Sequence, residues 1–286
     1  MKIKLTIFTP TYNRKNELRD VYKSLLEQTN KEFNWLIIDD GSTDNTEDLV
    51  NEWIKNNKIN IAYYKKENGG KHTAYNYALD KCDTDYMFVA LDSDNTMTKK
   101  AVEQINNILN ENKDCFGIVG PMFIKNGTNY DDIEKYNGLS ISEVFCNNDF
   151  NIETSLIIKT EYLKKFKYPT FENEKFFTEA YTYYQMEEPF IWTNKIFGQG
   201  KYRNDGLTKN IYKLYVENPK SFYLFQKMRF YKVKKLKKKI KSLISKNAFY
   251  IMGNEKEKLD FISIITMPIG YVYYKYINYK YKRYYK

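Results

Sequence analysis

A single histidine, three cysteines and no apolar stretch of bilayer-spanning length set the first limits on this chain of 286 residues. With His72 as the only imidazole, a Ser-His or Cys-His nucleophilic centre would rest entirely on that one side chain. Cys82, Cys115 and Cys146 are odd in number, widely spaced and without a C-x-x-C pattern. Neither a disulfide framework nor a zinc site is indicated, and a reducing, cytoplasmic setting is expected. The longest uncharged run near the C-terminus, Phe261 to Tyr274, contains Pro268 and Gly270. It falls short of the roughly 20 apolar residues of a spanning helix and suits a membrane surface better. The opening MKIKLTIFTP enters a strand-like run with no apolar h-region or cleavage site, so no secretory signal is expected. No G-x-G-x-x-G follows that strand, which removes the fingerprint of a dinucleotide-binding oxidoreductase. Internal repeats and low-complexity linkers are also lacking.

What is present in excess is tyrosine, 28 residues, within an aromatic fraction of 17%. The net charge of +10 conceals a division. Residues 1–208 hold 26 Lys+Arg against 32 Asp+Glu, a net of −6, and residues 209–286 hold 20 against 4, a net of +16. A basic tail on an acidic body implies a polyanionic partner for the tail. The length allows one large α/β domain with an appendage. The expected organisation is a catalytic domain over 1–208, divided into a first half over 1–125 and a second over 126–208, followed by a basic tail over 209–286.

Four β-rich apolar runs alternate with four segments of helical period over the first 125 residues. The runs are Leu5 to Thr9, Trp35 to Asp39, Ile59 to Tyr64 and Tyr86 to Leu91. Between and after them, Leu18/Val21/Leu25, Leu49/Val50/Trp53, Ala74/Ala78/Leu79 and Ala101/Val102/Ile105/Leu109 recur at helical spacing. This is the pattern of βαβ units and a mostly parallel sheet flanked by helices. Beyond it, Phe116 to Phe123 and Ser155 to Ile158 read as strands among loops.

Polar residues collect where the strands stop: Thr9 to Arg14, Asp39 to Ser42, and Asp92-Ser93-Asp94-Asn95. In an open α/β sheet those carboxyl ends share an edge where ligands bind. Asp92 and Asp94, one residue apart, can face a hard cation such as Mg²⁺ or Mn²⁺, which is held by one or two carboxylates plus substrate phosphates. Alone, such a triplet is also a common turn or helix cap. Of Asp39 and Asp40, one can accept hydrogen bonds from a base or ribose while the other holds the turn; Asp40 is the firmer ligand candidate. Asn68-Gly69-Gly70-Lys71 lets backbone approach a ligand closely and sets a cation at a helix start, although a helix cap with a surface lysine reads the same way. His72 is site-adjacent here and not a base.

TPTYNR, IIDDGSTDNT and ALDSDN, in this order and spacing, resemble the inverting family 2 glycosyltransferases of GT-A fold, closely over residues 1–125 and more loosely to Thr208. The resemblance implies a nucleotide-diphospho-sugar donor, commonly UDP-linked. It sets Thr9, Tyr12, Asp40 and, less firmly, Asp39 near base and ribose, with Arg14 also on the nucleotide-sugar donor. Asp92 and Ser93 fall around the ribose, Asp94 and Asp92 on a divalent metal, and Asn68, Gly70 and Lys71 beside the diphosphate. An inverting transfer needs a base for the acceptor hydroxyl. The stretch FENEKFFTEAYTYYQM resembles the family's acceptor-side segment, which makes Glu179 the candidate; many members carry Glu-Asp where this chain has Glu179-Ala180, so neighbours such as Glu174 stay as alternatives. Asp205-Gly206-Leu207-Thr208 resembles a segment closing the catalytic domain.

In the tail, KVKKLKKKIKSLISK over 232–246 places Val233, Leu236, Ile240, Leu243 and Ile244 on one helical face among lysines, an interfacial signature. The final YKYINYKYKRYYK has a biased composition compatible with disorder. Lysine and tyrosine together favour the anionic inner face of the cell membrane over nucleic acid, and with it a glycan or lipid-linked acceptor in surface-polysaccharide synthesis. Two other readings compete: a nucleotidyltransferase of related fold, whose Gly-rich basic first loop is absent, and a non-enzymatic membrane- or nucleic-acid-binding protein working through the tail.

Overall fold

The computed structural model describes residues 4–125, 132–147, 150, 152–201 and 210–285. The segment Asp205 to Thr208, and with it the expected boundary at 208, lies outside the described residues. By contact the chain forms two compact units, one of residues 1–141, 150–167 and 188–202, the other of residues 142–149, 168–187 and 203–286.

The first unit opens with β1 (Leu5–Thr11), α1 (Lys15–Leu26), β2 (Asn34–Asp39), α2 (Thr46–Asn56), β3 (Asn60–Lys65), α3 (Lys71–Lys81) and β4 (Tyr86–Phe88). It continues through β5 (Thr96–Met97), α4 (Ala101–Glu111), β6 (Gly117–Lys125), β7 (Thr154–Lys159), β8 (Ile191–Trp192) and β9 (Gly198–Lys201). The strand order is β3-β2-β1-β4-β7-β6-β9-β5, with β8 also on β6. β3, β2, β1 and β4 are mutually parallel. β7 inserts antiparallel between β4 and β6. Because β1 and β2 align Thr11 with Asp39, and β2 and β3 align Asp39 with Lys65, the ends of three strands stop at one level.

The helices lie on the sheet through the faces their period predicts. Leu18, Val21 and Leu25 of α1, Leu49, Val50 and Trp53 of α2, and Ala101, Val102, Ile105 and Leu109 of α4 join β1, β2 and β4 residues in one core. Tyr22 stacks on Trp53 at 4.2 Å, and Trp35 stacks beside both at 6.0 and 5.9 Å. Each large apolar side chain removed from water there contributes about 2 kcal/mol before entropy is counted.

The second unit is helical, with part of α5 (Ile141–Asn147), α7 (Ala180–Tyr183), α8 (Ile211–Glu217), α9 (Pro219–Lys232), α10 (Leu236–Met252) and α11 (Phe261–Tyr285); α6 (Thr160–Leu163) belongs to the first unit. An aromatic cluster of Phe222, Tyr223, Ala248, Phe249 and Ile277 holds it, with Phe176 and Tyr215 packed against it. Two expectations are corrected here. The segment 232–246 is not one amphipathic helix: α9 ends at Lys232, Val233 is buried, and α10 begins at Leu236. Leu243 of its apolar face is buried while Leu236 and Ile240 are exposed, so tertiary packing divides the predicted face. The tyrosine-rich C-terminus, compatible with disorder by composition, is the end of the 25-residue α11.

Gly120 of β6 lies where a Cβ would meet the Lys195 carbonyl and the Phe197 ring, each at 2.6 Å. Gly120→Ala is expected to cost about 2 kcal/mol by overpacking, read as a lower urea midpoint with an unchanged m-value.

Candidate active site

The strand-end loops of the first unit are joined by hydrogen bonds between side chains and backbone. Asn13 takes a left-handed conformation (φ 50°), where its N–H donates to Ser42 Oγ at 2.9 Å and its Oδ1 accepts from Thr43 N–H at 2.8 Å. The Lys15 N–H at the start of α1 donates to Asp44 Oδ2 at 2.9 Å, and Asp44 Oδ1 accepts from the Thr46 hydroxyl at the start of α2. The loop after β1 is thereby tied to the loop after β2.

Asp40 ties the second loop to the third. Its Oδ1 accepts from Lys66 Nζ at 2.7 Å and Gly69 N–H at 3.0 Å, and its Oδ2 from Gly70 N–H at 2.7 Å and Asn68 Nδ2 at 3.1 Å. Four donors on a 4%-exposed carboxylate saturate it and compensate its burial. Gly70, with φ 92° and ψ 160°, occupies backbone space open almost only to glycine, and this presents its N–H to Asp40 immediately before α3. The loops also approach closely at Gly41 (φ 88°), where a Cβ would lie 3.1 Å from Asn68 N.

The third loop reaches the acidic triplet through Lys71, whose Nζ lies 2.6 Å from Asp92 Oδ1, both side chains more than a third exposed. The triplet is a turn in which Asn95 N–H donates to Asp92 O at 2.9 Å, and Asp92, Ser93 and Asp94 are each half-buried. Tyr12 stands exposed at the end of β1, and Arg14 Nη1 pairs with Glu17 at 3.0 Å.

Residues 6–171, more than half the chain, match the family described as Glycosyl transferase family 2. The chain belongs to that family. Among its relatives, a putative teichuronic acid biosynthesis glycosyltransferase, TuaG of Bacillus subtilis (strain 168), is 30% identical over 44% of this chain and 50% of its own length. The teichoic acid poly(glycerol phosphate) polymerase of Staphylococcus epidermidis is 36% identical over 36% of this chain and 15% of its own. The match thus spans half or less of these two relatives. In fold, the chain is similar to residues 1–349 of S. aureus TarS solved with UDP-GlcNAc, with a TM-score of 0.62 at 17% identity over 87% of this chain and 72% of that one. It is also similar to the mannosyltransferase PcManGT of Pyrobaculum calidifontis solved with GDP-Man and Mn²⁺, with a TM-score of 0.57 at 15% identity over 97% and 83%. The α/β fold of GT-A type and its helical C-terminal region agree with these likenesses.

Within this family member the predicted residues fall into two groups. Tyr12, Arg14, Lys71, Asp92, Ser93 and Asp94 lie at the loop surface. Thr9, Asp39, Asp40, Asn68 and Gly70 build the edge from within or behind. The Thr9 hydroxyl accepts from Trp35 Nε1 at 2.9 Å in the core. Asp39, fully buried, accepts from Ser42 N–H at 2.7 Å and from the Tyr63 hydroxyl at 2.6 Å. Burial, and then this carboxylate, raise the Tyr63 phenol well above its ordinary pKa. Sequence reasoning missed Lys66, which sits two residues before Asn68 and looks like a surface lysine following a strand; the only signal was its place opposite a buried Asp-Asp pair.

The candidate bases belong to the second unit. Glu174 is committed elsewhere: it accepts Lys220 N–H at 2.8 Å, Ser221 N–H at 2.8 Å and the Ser221 hydroxyl at 2.6 Å, capping α9. Glu179, half-buried at the start of α7, accepts from the Tyr183 hydroxyl at 3.1 Å. Among the described residues no three His, Cys, Asp or Glu side chains group as a self-sufficient metal site. Asp92 and Asp94 fit a cation whose remaining oxygens come from substrate, as hard oxygen donors accessible in one turn.

Lys66→Met leaves Asp40 without its counter-charge and is expected to lower stability by about 3 kcal/mol in urea melts. His72, buried beside Asp40 and Lys66, is held at a pKa of about 4, chiefly by desolvation. The unfolded chain takes up this proton near pH 6.5 and the folded chain only near 4, so stability is full above that window and falls as pH drops through it, by up to about 3 kcal/mol. Urea midpoints between pH 7.5 and 4 check this, with His72→Gln flattening the part of the slope due to this residue.

Proposed function

We propose that this family 2 glycosyltransferase moves a sugar, with inversion, from a nucleotide-diphosphate donor of UDP type to a hydroxyl of a glycan or lipid-linked oligosaccharide in surface-polysaccharide synthesis. The observation that carries the donor half is the bonded series Asp44, Asp40 and Lys71–Asp92, which makes four separate loops one polar edge with a cation, three accessible hydroxyl or carboxylate side chains and an exposed tyrosine ring.

In this reading the base stacks on Tyr12, and Asp40 receives base or ribose by exchanging the Lys66 ammonium while Gly69 and Gly70 keep the loop in place. Thr9 and Asp39 act through the shape of the edge. Asp92 and Ser93 take the ribose, Arg14 and Lys71 the diphosphate, and Lys71 leaves Asp92 when phosphate arrives. Asp94 with Asp92 would hold Mn²⁺ or Mg²⁺, which neutralises charge on a departing diphosphate. The acceptor oxygen forms its bond to the anomeric carbon as the bond to the diphosphate breaks, and Glu179 takes the hydroxyl proton. Glu174 cannot serve without giving up the α9 cap. Support for a surface glycan comes from the teichuronic and teichoic acid roles of the relatives. A tail of net charge +16 supports attachment to the anionic inner face of the membrane, where a lipid-linked acceptor is found.

Donor turnover across UDP- and GDP-sugars with Mn²⁺ tests the reading. Asp94→Ala should abolish metal-stimulated turnover, and full activity of that variant in chelator would remove the metal assignment. Glu179→Gln should lower transfer about a hundredfold or more with donor binding kept. Glu174→Ala should instead cost about 2 kcal/mol of stability, with turnover per folded molecule retained.

A further inference from the structure

The helix α11 is amphipathic in the opposite sense to a helix on a water-soluble body. Its buried positions along the apolar half are Ser263 and Gly270, and its exposed positions are Phe261 at 75%, Ile262, Ile264, Ile265 at 61%, Ile269 and Val272 at 68%. At about 100° per residue the exposed set shares one side of the helix and the buried pair occupies the other. The inward side is polar by construction. Asn247 of α10 donates through Nδ2 to the Ser263 carbonyl and the Thr266 hydroxyl, each at 3.0 Å, and its Cβ fills the space a side chain on Gly270 would need. Asp260 starts the helix: Oδ1 accepts Ser263 N–H at 2.8 Å and Oδ2 accepts the buried Lys246 ammonium at 2.9 Å. Burial works against this carboxylate, yet Lys246 and Ser263 hold its pKa at about 2.

Contacts between small and polar residues inward with branched apolar residues outward are the arrangement of a helix whose outer solvent is hydrocarbon. An exposed patch of this extent marks an interaction surface. Phe261 to Val272 extends only about 16 Å along the axis, against about 30 Å of bilayer core, so the helix would lie in the membrane surface. Among the described residues no helix is long and apolar enough to cross a membrane. Further along, Tyr271, Tyr276, Tyr279 and Tyr284 are exposed among lysines, with Lys275 over the Tyr271 ring and Lys280 over Tyr276. Charge selects the occupant: residues 209–286 carry +16, which attracts anionic headgroups and repels a second copy of the same face.

We infer that α11 is the membrane-inserting element, its Phe261, Ile265, Ile269 and Val272 side entering the acyl boundary of an anionic bilayer while its Asn247-facing side stays on α10. This rests on the membrane half of the proposed function and names the element responsible. The test uses the full chain with phosphatidylcholine vesicles with and without phosphatidylglycerol, and the Ile265→Trp variant. The native Trp35, Trp53 and Trp192 are buried in the first unit. Brominated acyl chains should quench the added fluorescence only on anionic vesicles. A combined Ile265→Ser, Ile269→Ser, Val272→Ser variant, altering exposed positions only, should bind those vesicles at least about tenfold more weakly, whereas Leu236→Ser with Ile240→Ser should not. Sedimentation with vesicles but no quenching would overturn insertion and leave surface attachment standing. No sedimentation would overturn both, and leave sugar transfer to be judged by turnover. A dimer in solution that the triple variant dissolves would assign the face to a second copy and overturn the inference.

Discussion

One buried carboxylate organises the polar strand-end edge of the first unit. Asp40 directly follows β2, buried from Trp35 to Asp39, and gathers four donors from a loop that begins 26 residues later: an ammonium, a carboxamide and two backbone N–H groups. Each donor would be costly to bury unpaired, and the carboxylate still more so. Together they make the glycine-bearing turn before α3 a fixed object. That turn aims Lys71 at Asp92, and the same strand end carries Ser42 and Asp44 to Asn13 and Lys15. Sheet register brings the strand ends to one level, and the carboxylate network ties that level into one polar edge.

The second unit solves a different problem with similar means. Its core is aromatic, with Phe222 stacked on Phe249 at 5.2 Å and on Phe176 at 5.6 Å. Phe176 belongs to the same stretch as Glu174 and Glu179, so the segment bearing the candidate base is packed into the helices of the basic tail. Removing the tail would therefore also strip the support from that segment, and point substitutions on exposed faces separate the proposed membrane attachment from the proposed catalysis more cleanly. Glu174 fixes one end of this arrangement through both carboxylate oxygens, and Asn247 fixes another through its Nδ2 donor.

Much of the first unit was legible because its signals are local. Apolar, β-rich runs mark β1 to β3, and helical repeats mark α1 to α4. Strand ends rich in Asp, Asn and Tyr gave the edge. The fourth strand is shorter than expected, ending at Phe88, because Val89 and Leu91 leave the ladder to bond Leu156 and Phe8 as the chain turns toward the triplet. What escaped depends on long-range partners. Lys66 acquires meaning only from a carboxylate 26 residues earlier, and Glu174 is a cap rather than a free acid because Ser221 lies 47 residues away. The segment 232–246 misled because periodicity reports which residues share a face and not what that face meets: the helix breaks at Val233, and α10 buries part of its apolar face.

The claim that four loops act as one donor edge is tested most directly by amide hydrogen exchange with and without a UDP-sugar and Mn²⁺. The account predicts that slowed exchange appears together in residues 9–14, 39–44, 66–72 and 91–95, and that Lys66→Met weakens protection in all four. Protection confined to one loop, or found only elsewhere in the chain, would contradict it.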